Sequence, residues 1–256
     1  MRNALILGCG RSGTSAAAGA LRRAGYFMGE TLIPPAAPNP RGFFESREIH
    51  DLNEALLAPL LPPRWGGRLG VFLVRSERTG YGQRWLARLP VGTLVTAPPE
   101  LLPRMEALVR REPFCFKDPR FCYTLPAWRP LLPDPLFVCV FRHPEASARS
   151  ILHEVQTRRY LRKLVLDREG ALSVWLLMYR HVLEVHVPAG GEWLFLHYHQ
   201  LLDRSGLDRL GEALGVEVDR DFIDPHLSRF DGGGALAPPL RAVYDELCAR
   251  AGYREG

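Results

Sequence analysis

The fold of this chain is decided by the stretch Gly8-Cys9-Gly10-Arg11-Ser12-Gly13-Thr14-Ser15. The apolar run at 3–7, Asn-Ala-Leu-Ile-Leu, precedes it and is typical of a buried parallel strand. Residues 16–24 are rich in Ala, Leu and Arg, which favours a helix that ends at Gly25. This order of strand, glycine loop and helix predicts a phosphate-binding loop, whose backbone N–H groups surround an anion. We expect positive φ at the glycines that let the loop turn tightly, which are Gly8, Gly10 and Gly13.

The loop departs from that of nucleoside triphosphatases in its cation. Their loop has a Lys after the second Gly, whereas Thr14 follows Gly13 here and the cation is Arg11. That Lys reaches the β- and γ-phosphates, so a loop without it is poorly suited to a triphosphate. It suits a single 5'-phosphate held by Ser12, Gly13, Thr14 and Ser15, with Arg11 over the next anionic group. The alternative is a glycine turn that opens an ordinary helix.

Composition limits the choice of partner and compartment. The chain has 256 residues, 46% of them hydrophobic, so we expect one domain over 1–256. The net charge of +5 is spread along the chain, which is compatible with an anionic ligand but does not favour nucleic acid. The N-terminus enters the first strand without a signal peptide, and no stretch could cross a membrane, so we expect a cytoplasmic protein with no membrane partner. The cysteines include no Cys-x-x-Cys pair and are expected as buried reduced thiols, namely Cys9, Cys115, Cys122, Cys139 and Cys248.

A candidate acid or base, Glu45, follows the first helix at the end of the stretch 41–45, Arg-Gly-Phe-Phe-Glu. The aromatic residues before Glu45 would shield it from water if the segment folds back over the loop. The alternative is a surface carboxylate paired with Arg41 or Arg47. The next helix is predicted from Ile49, Leu52, Leu56 and Leu60.

Residues 62–99 show no hydrophobic period. They are interpreted either as a lid or substrate loop or as an irregular surface insertion. An amphipathic helix is predicted at 100–111, and the C-terminal region 232–256 begins with a glycine joint and continues in a helix at 239–251.

Two later strands deliver cations at their ends. The run 114–116 predicts a strand that ends before Lys117, which we expect to face the anion site because ligands bind beyond strand C-termini. The alternative for Lys117-Asp118-Pro119-Arg120 is a capping turn with solvated charges. The run 136–141 ends before Arg142, and Ser150 lies eight residues later on the helix opened by Pro144. Arg142 and Ser150 are placed to hold one phosphate.

The remaining pattern alternates strands and helices. Helices are predicted at 121–132, 170–187 and 207–214, and a strand at 193–198. This alternation predicts the α/β class, with a three-layer P-loop-type fold whose central parallel sheet is flanked by helices on both faces. No histidine spacing indicates a metal site.

The two anion sites together resemble the sulfotransferase family that uses 3'-phosphoadenylyl sulfate (PAPS). The stretch 8–15 resembles the family's loop for the 5'-phosphosulfate, and the Arg142–Ser150 pair has the spacing of its 3'-phosphate site. Lys117-Asp118-Pro119 is similar to an element of the protein-tyrosine and bacterial branches. The stretch 41–45 resembles a bacterial segment in which a Glu serves as base. The resemblance covers about residues 3–200.

The resemblance implies in-line, metal-independent transfer of a sulfuryl group to a hydroxyl or amine of a small-molecule or peptide acceptor. It implies that Arg11 and Lys117 stabilise the transferring group and that Glu45 takes the acceptor proton. Aromatic residues in the loops 28–45 and 62–99 hint at an apolar or ring-bearing acceptor. Two alternatives stay open: a P-loop nucleotide or small-molecule kinase, which would need magnesium, and a non-catalytic module that binds the desulfated nucleotide without transfer.

Overall fold

The central element of the computed structural model is a four-stranded parallel sheet. The structure describes residues 1–36, 40–63, 75–224 and 233–255. The strands are β1 (Ala4–Leu7), β2 (Cys115–Lys117), β3 (Leu136–Phe141) and β4 (Glu192–His197), in the order β2-β1-β3-β4. Strand β1 lies in the centre, where Ala4 pairs with both Cys115 and Leu136. The strand ends at Leu7, Lys117 and Phe141 therefore meet at one edge, which is where ligands bind in such sheets.

Helices cover both faces of this sheet. On one side, Ala4 and Ile6 pack with α1 (Thr14–Ala20), α7 (Tyr198–Leu202) and α8 (Ser205–Leu214). On the other, Leu5 and Leu7 pack with helices that come mostly from the middle of the chain. These are α2 (Arg47–Leu57), α3 (Leu102–Val109), α4 (Phe121–Trp128), α5 (Pro144–Thr157), α6 (Arg168–His181) and α9 (Pro238–Ala251). The alternation of side chains along β1 fills two cores, and the predicted three-layer α/β fold is confirmed.

The first helix differs from the prediction at both ends. It begins at Thr14, because the Gly13 carbonyl already accepts hydrogen bonds from Ala16 and Ala17. It ends at Ala20, and the chain then continues in tight turns. In one of them the Arg22 N–H donates to the Gly19 carbonyl. The prediction of a helix over 16–24 ending at Gly25 is therefore wrong. Gly25 has a φ of 85° but lies in the turn beyond the helix.

Other boundaries shift by a few residues. The helix predicted at 170–187 is α6 followed by a π-helical turn at Val182–His186, and that predicted at 121–132 is α4 followed by a 3-10 turn at Arg129–Leu131. Between 75 and 99 the only helical turn is the 3-10 turn Arg84–Leu86, whereas 64–74 lie outside the described residues, as does Gly232 of the glycine joint. Further 3-10 turns occur at Ala58–Leu60 and Arg220–Phe222. In the described ranges no helix has the length and apolarity to span a membrane. The cysteines are unpaired, and all are buried except the half-buried Cys248.

Candidate active site

The loop between β1 and α1 turns at three positive φ angles. Gly8 and Gly13 have φ values of 146° and 99°, as predicted. The prediction for Gly10 is wrong, since the third positive φ belongs to Arg11, at 71°. Gly10 has a different reason to be glycine, because a Cβ there would lie 2.4 Å from the ring of Trp85. The left-handed conformation of Arg11 turns the chain at the position of the loop's cation.

Buried hydrogen bonds fix this loop to the helices behind it. The Cys9 N–H donates to the Tyr179 hydroxyl at 3.1 Å, and that hydroxyl donates to the Val140 carbonyl at 2.8 Å. The Ser12 N–H donates to the Cys9 carbonyl, and the Ser12 hydroxyl lies 3.1 Å from that of Ser147. The Ser12 side chain is thus buried behind the loop, whereas the next residues of the loop line the cavities described below.

A first cavity, of about 140 Å³, lies over the start of α1. The loop residues Gly13, Thr14 and Ser15 line it, together with Arg142 at the end of β3 and Ser150 on α5. The fold thus brings together both predicted anion sites, which are more than 120 residues apart in the chain. The lining of this first cavity contains the cations Arg11, Arg41 and Arg142 and the carboxylates Glu154 and Asp224.

Aromatic and basic side chains shape the rest of the first cavity. The Arg142 guanidinium carbon lies over the ring of Tyr198, at the start of α7, 4.3 Å from the ring centroid, which is a cation–π contact. The Arg11 Nε donates to the Ser150 hydroxyl at 3.1 Å, so the cation of the loop reaches the second anion site. Arg41 and Phe222 line the opposite wall.

A second cavity, of about 470 Å³, adjoins the first and is also lined by residues of the loop. Its chemical groups are Glu45 and Lys117, whose Oε1 and Nζ atoms are 2.5 Å apart. The Lys117 Nζ also donates to the Ser15 hydroxyl at 3.3 Å. The alternative of a surface Glu45 paired with Arg41 or Arg47 is therefore wrong. Apolar side chains line much of the remaining wall, including Ile33, Pro34, Pro35, Phe43, Trp85 and Pro119.

Four residues line both cavities: Arg11, Thr14, Ser15 and Glu154. The Arg11 Nε lies 3.2 Å from the Glu154 Oε2, and Glu154 is buried. Burial raises the pKa of the Glu154 carboxyl, while the charge of Arg11 opposes that shift. The sequence analysis missed Glu154. Its position four residues after Ser150 is the signal that would have placed it on the same face of α5.

A buried cluster of charges lies next to the second cavity, at the end of β2. The Arg120 Nε lies 2.7 Å from the Glu54 Oε1, and its Nη1 lies 3.2 Å from the Asp118 Oδ1. Arg84 adds a 2.6 Å ion pair to Glu54. Burial alone would lower the pKa of Arg120, but the charges of Asp118 and Glu54 raise it above its usual value. The alternative of a turn with solvated charges after Lys117 is therefore wrong, because this cluster ties the end of β2 to α2.

Within the described residues, no three or more His, Cys, Asp or Glu side chains come together in a group that could hold a metal ion. Two buried histidines are held by the fold instead: the His186 Nε2 donates to the Cys122 carbonyl at 2.9 Å, and the His197 side chain caps α7.

The arrangement of sheet, loop and helices is similar to that of a solved structure. The sulfotransferase domain from the Synechococcus PCC 7002 olefin synthase matches with a TM-score of 0.55 and 16% sequence identity, over 99% of this chain and 95% of that chain. At this identity the likeness shows the fold. No model of a known protein family and no curated protein matches the sequence.

Proposed function

We propose that this chain is a sulfotransferase that moves a sulfuryl group from 3'-phosphoadenylyl sulfate to a hydroxyl or amine, without a metal, and that 1–256 form one such domain. The observation that carries the proposal is a pair of adjoining cavities that share lining residues of one glycine loop. One contains Arg142 and Ser150, and the other contains the Lys117–Glu45 pair. The fold likeness to a sulfotransferase domain supports it.

The first cavity suits the donor. Backbone N–H groups at the start of α1 face the position of a 5'-phosphate, since Gly13, Thr14 and Ser15 line the cavity there. Arg142 and Ser150 provide a planar fork and a hydroxyl for the 3'-phosphate. Stacking on Tyr198 orders Arg142 before the ligand arrives, which reduces the entropy cost of binding.

The chemistry takes place where the cavities meet. In the proposed reaction the acceptor oxygen forms a bond to sulfur while the bond from sulfur to the bridging oxygen of the donor breaks. The acceptor proton passes to Glu45, and the donor leaves as 3'-phosphoadenosine 5'-phosphate. Arg11 and Lys117 face the charge that develops on the sulfuryl group and the bridging oxygen. By analogy with phosphoryl transfer, catalysis then rests on positioning and electrostatics.

The rival kinase lacks support in the loop. A nucleoside triphosphate needs a Lys directly after the second glycine of the loop, and Thr14 occupies that position. The cations here are Arg11, which lines both cavities, and Lys117, which lines the second.

Calorimetric titration with 3'-phosphoadenosine 5'-phosphate in the absence of magnesium tests the donor assignment. Wild type should bind, and Arg142→Ala should weaken binding by about 2 kcal/mol, which is a loss of roughly thirtyfold. Arg149→Ala is the matched control, because Arg149 is exposed on α5 and does not line the cavity. No binding by wild type, with ATP bound once magnesium is added, would favour the kinase. Tight nucleotide binding without transfer to any acceptor would favour the non-catalytic module.

A further inference from the structure

The second cavity, which the proposed function assigns to the acceptor, is lined by one arginine without a close ion pair to a carboxylate of the described residues, although its charge acts at longer range on Glu154. Three of its cationic side chains have carboxylate partners at 3.2 Å or less: Arg11 with Glu154, Lys117 with Glu45, and Arg120 with Glu54. The fourth cation lining the cavity is Arg158. No carboxylate of the described ranges lies within 4 Å of its guanidinium, which sets it apart from the other three.

The position of Arg158 directs this charge toward the cavity. Arg158 follows the last residue of α5, where its N–H donates to the Glu154 carbonyl at 2.9 Å and fixes its backbone. Its side chain is half-buried and lines the second cavity but not the first. The proposed function assigns the donor phosphates to the first cavity, which Arg158 does not line.

The rest of the wall is suited to an apolar body. Ile33, Pro34, Phe43, Trp85 and Pro119 contribute aliphatic and aromatic surface. A volume of about 470 Å³ lies in the range of cavities that bind drug-sized molecules. An apolar molecule with a reactive hydroxyl at Glu45 would leave the Arg158 charge partly shielded from water and without an anion in direct contact, which is unfavourable.

We infer that the acceptor is an amphipathic molecule with an oxyanion group, a carboxylate or a phosphate, that Arg158 binds. The planar guanidinium fork matches both groups in a bidentate manner. This inference rests on the proposed function, since it names the class of acceptor for that reaction. It assigns Arg158 a role in acceptor specificity and none in donor binding.

The experiment compares acceptors that differ only in the group distant from the hydroxyl. The first set is 3-(4-hydroxyphenyl)propanoate, the corresponding phosphonate and the corresponding neutral amide, and the second set carries the same end groups on an ω-hydroxyalkyl chain. Binding is measured by calorimetry on protein saturated with 3'-phosphoadenosine 5'-phosphate. The anionic members of at least one set should bind about tenfold more tightly than their amide, or better. Comparison of the carboxylate with the phosphonate shows whether the site prefers a carboxylate or a phosphate-like group.

Substitutions then assign the preference to one side chain. Arg158→Gln should bring the ratio of anion to amide affinity close to one, and Arg158→Lys should retain part of it. Arg159→Gln is the matched control, because Arg159 is the adjacent cation, is exposed and does not line the cavity. It should leave the ratio unchanged. Melting temperatures of the three variants establish that each is folded.

Several outcomes would overturn the inference. One is that the anionic acceptors bind no more tightly than the corresponding amides, which includes the result that no acceptor of the panel binds. Another is an equal effect of Arg159→Gln, which would indicate attraction by a basic surface segment. A third concerns turnover of the same acceptors. An equal loss of kcat for anionic and neutral acceptors in Arg158→Gln would indicate that Arg158 acts on the transferring sulfuryl group. The proposed function fails by a different result, which is that 3'-phosphoadenosine 5'-phosphate itself does not bind. In that case the acceptor panel is titrated against nucleotide-free protein.

Discussion

Lys117 and Glu45 form a 2.5 Å ion pair that lines the second cavity, and the same Lys117 Nζ donates to the Ser15 hydroxyl. The pair couples two events of the proposed reaction. As Glu45 accepts the acceptor proton, its negative charge is neutralised and no longer balances that of Lys117. The positive charge of Lys117 is then available to the oxygen on which negative charge develops. One ion pair thus links proton transfer to stabilisation of the leaving group.

Glu45→Gln should lower kcat by about 10²- to 10⁴-fold, because general base catalysis contributes that range. The amide keeps the shape of the side chain and a hydrogen bond to Lys117 but cannot accept the proton. Binding of 3'-phosphoadenosine 5'-phosphate should stay near the wild-type value, since Glu45 lines the second cavity and not the first. Steady-state kinetics together with calorimetry separates the two effects. Full turnover with intact donor binding would exclude Glu45 as the base.

Tyr198→Ala should weaken nucleotide binding more than Tyr198→Phe. The ring of Tyr198 lies 4.3 Å from the Arg142 guanidinium carbon, and a cation–π contact of this kind is worth about 0.5 to 2 kcal/mol. The phenylalanine variant keeps the ring and is the control for the hydroxyl. Calorimetric titration with 3'-phosphoadenosine 5'-phosphate measures both. Equal weakening by the two variants would assign the effect to the hydroxyl instead.

Gly8→Ala should destabilise the protein far more than Gly25→Ala. Both glycines have positive φ, so each substitution places a side chain in a conformation that costs about 1 to 2 kcal/mol. At Gly8 the new Cβ would in addition lie 2.0 Å from the Val140 carbonyl oxygen, whereas nothing lies within 4 Å at Gly25. Chemical denaturation should give a small loss of unfolding free energy at Gly25 and a loss of several kcal/mol, or an unfolded chain, at Gly8. Similar losses at the two positions would contradict the close approach of β3 to the loop.

The stability of the fold should fall as the pH decreases from about 6.5 to about 4. Burial lowers the pKa of His186 from its usual 6.5 to about 4, so the folded state binds its proton less tightly than the unfolded state does. The contribution of neutral His186 is fully present above pH 6.5 and is lost below it. At about 1.4 kcal/mol per pH unit, this single residue accounts for roughly 3 kcal/mol.

Urea denaturation at a series of pH values measures that dependence. His186→Gln, which retains an N–H for the Cys122 carbonyl, should show a smaller loss of stability over the same interval. His153→Gln is the control on the exposed side of α5 and should keep the wild-type slope. An unchanged slope in His186→Gln would assign the acid sensitivity to other groups, among them His197, whose pKa burial lowers to about 3.

Sequence reasoning was successful where the signal is local. The apolar run of β1, the glycines after it and the strand that ends before Arg142 are each contiguous, so their periodicity and turn residues predict them directly. The eight-residue interval from Arg142 to Ser150 lies within one strand–helix unit. The Lys117 position follows in the same way from the end of β2.

The residues that were missed depend on distant contacts. Arg120 and Glu54 are 66 residues apart and become a buried pair only when α2 packs beside the end of β2. Trp85 comes from a stretch without any period, yet its ring explains Gly10. Ser12 is predicted from the loop pattern to hold the 5'-phosphate, but its hydroxyl lies 3.1 Å from that of Ser147, which is 135 residues away in the chain. No pattern within a single element carries this information.

The boundary shared by the two cavities has a kinetic consequence. Arg11, Thr14, Ser15 and Glu154 line both cavities, with the proposed donor in the first cavity and the proposed acceptor in the second. A sulfuryl group that passes directly from the donor to the acceptor does not need to bind covalently to the protein. Both substrates must therefore be bound at the same time. Turnover should therefore follow a ternary-complex rate law, with initial-rate lines that intersect rather than run parallel.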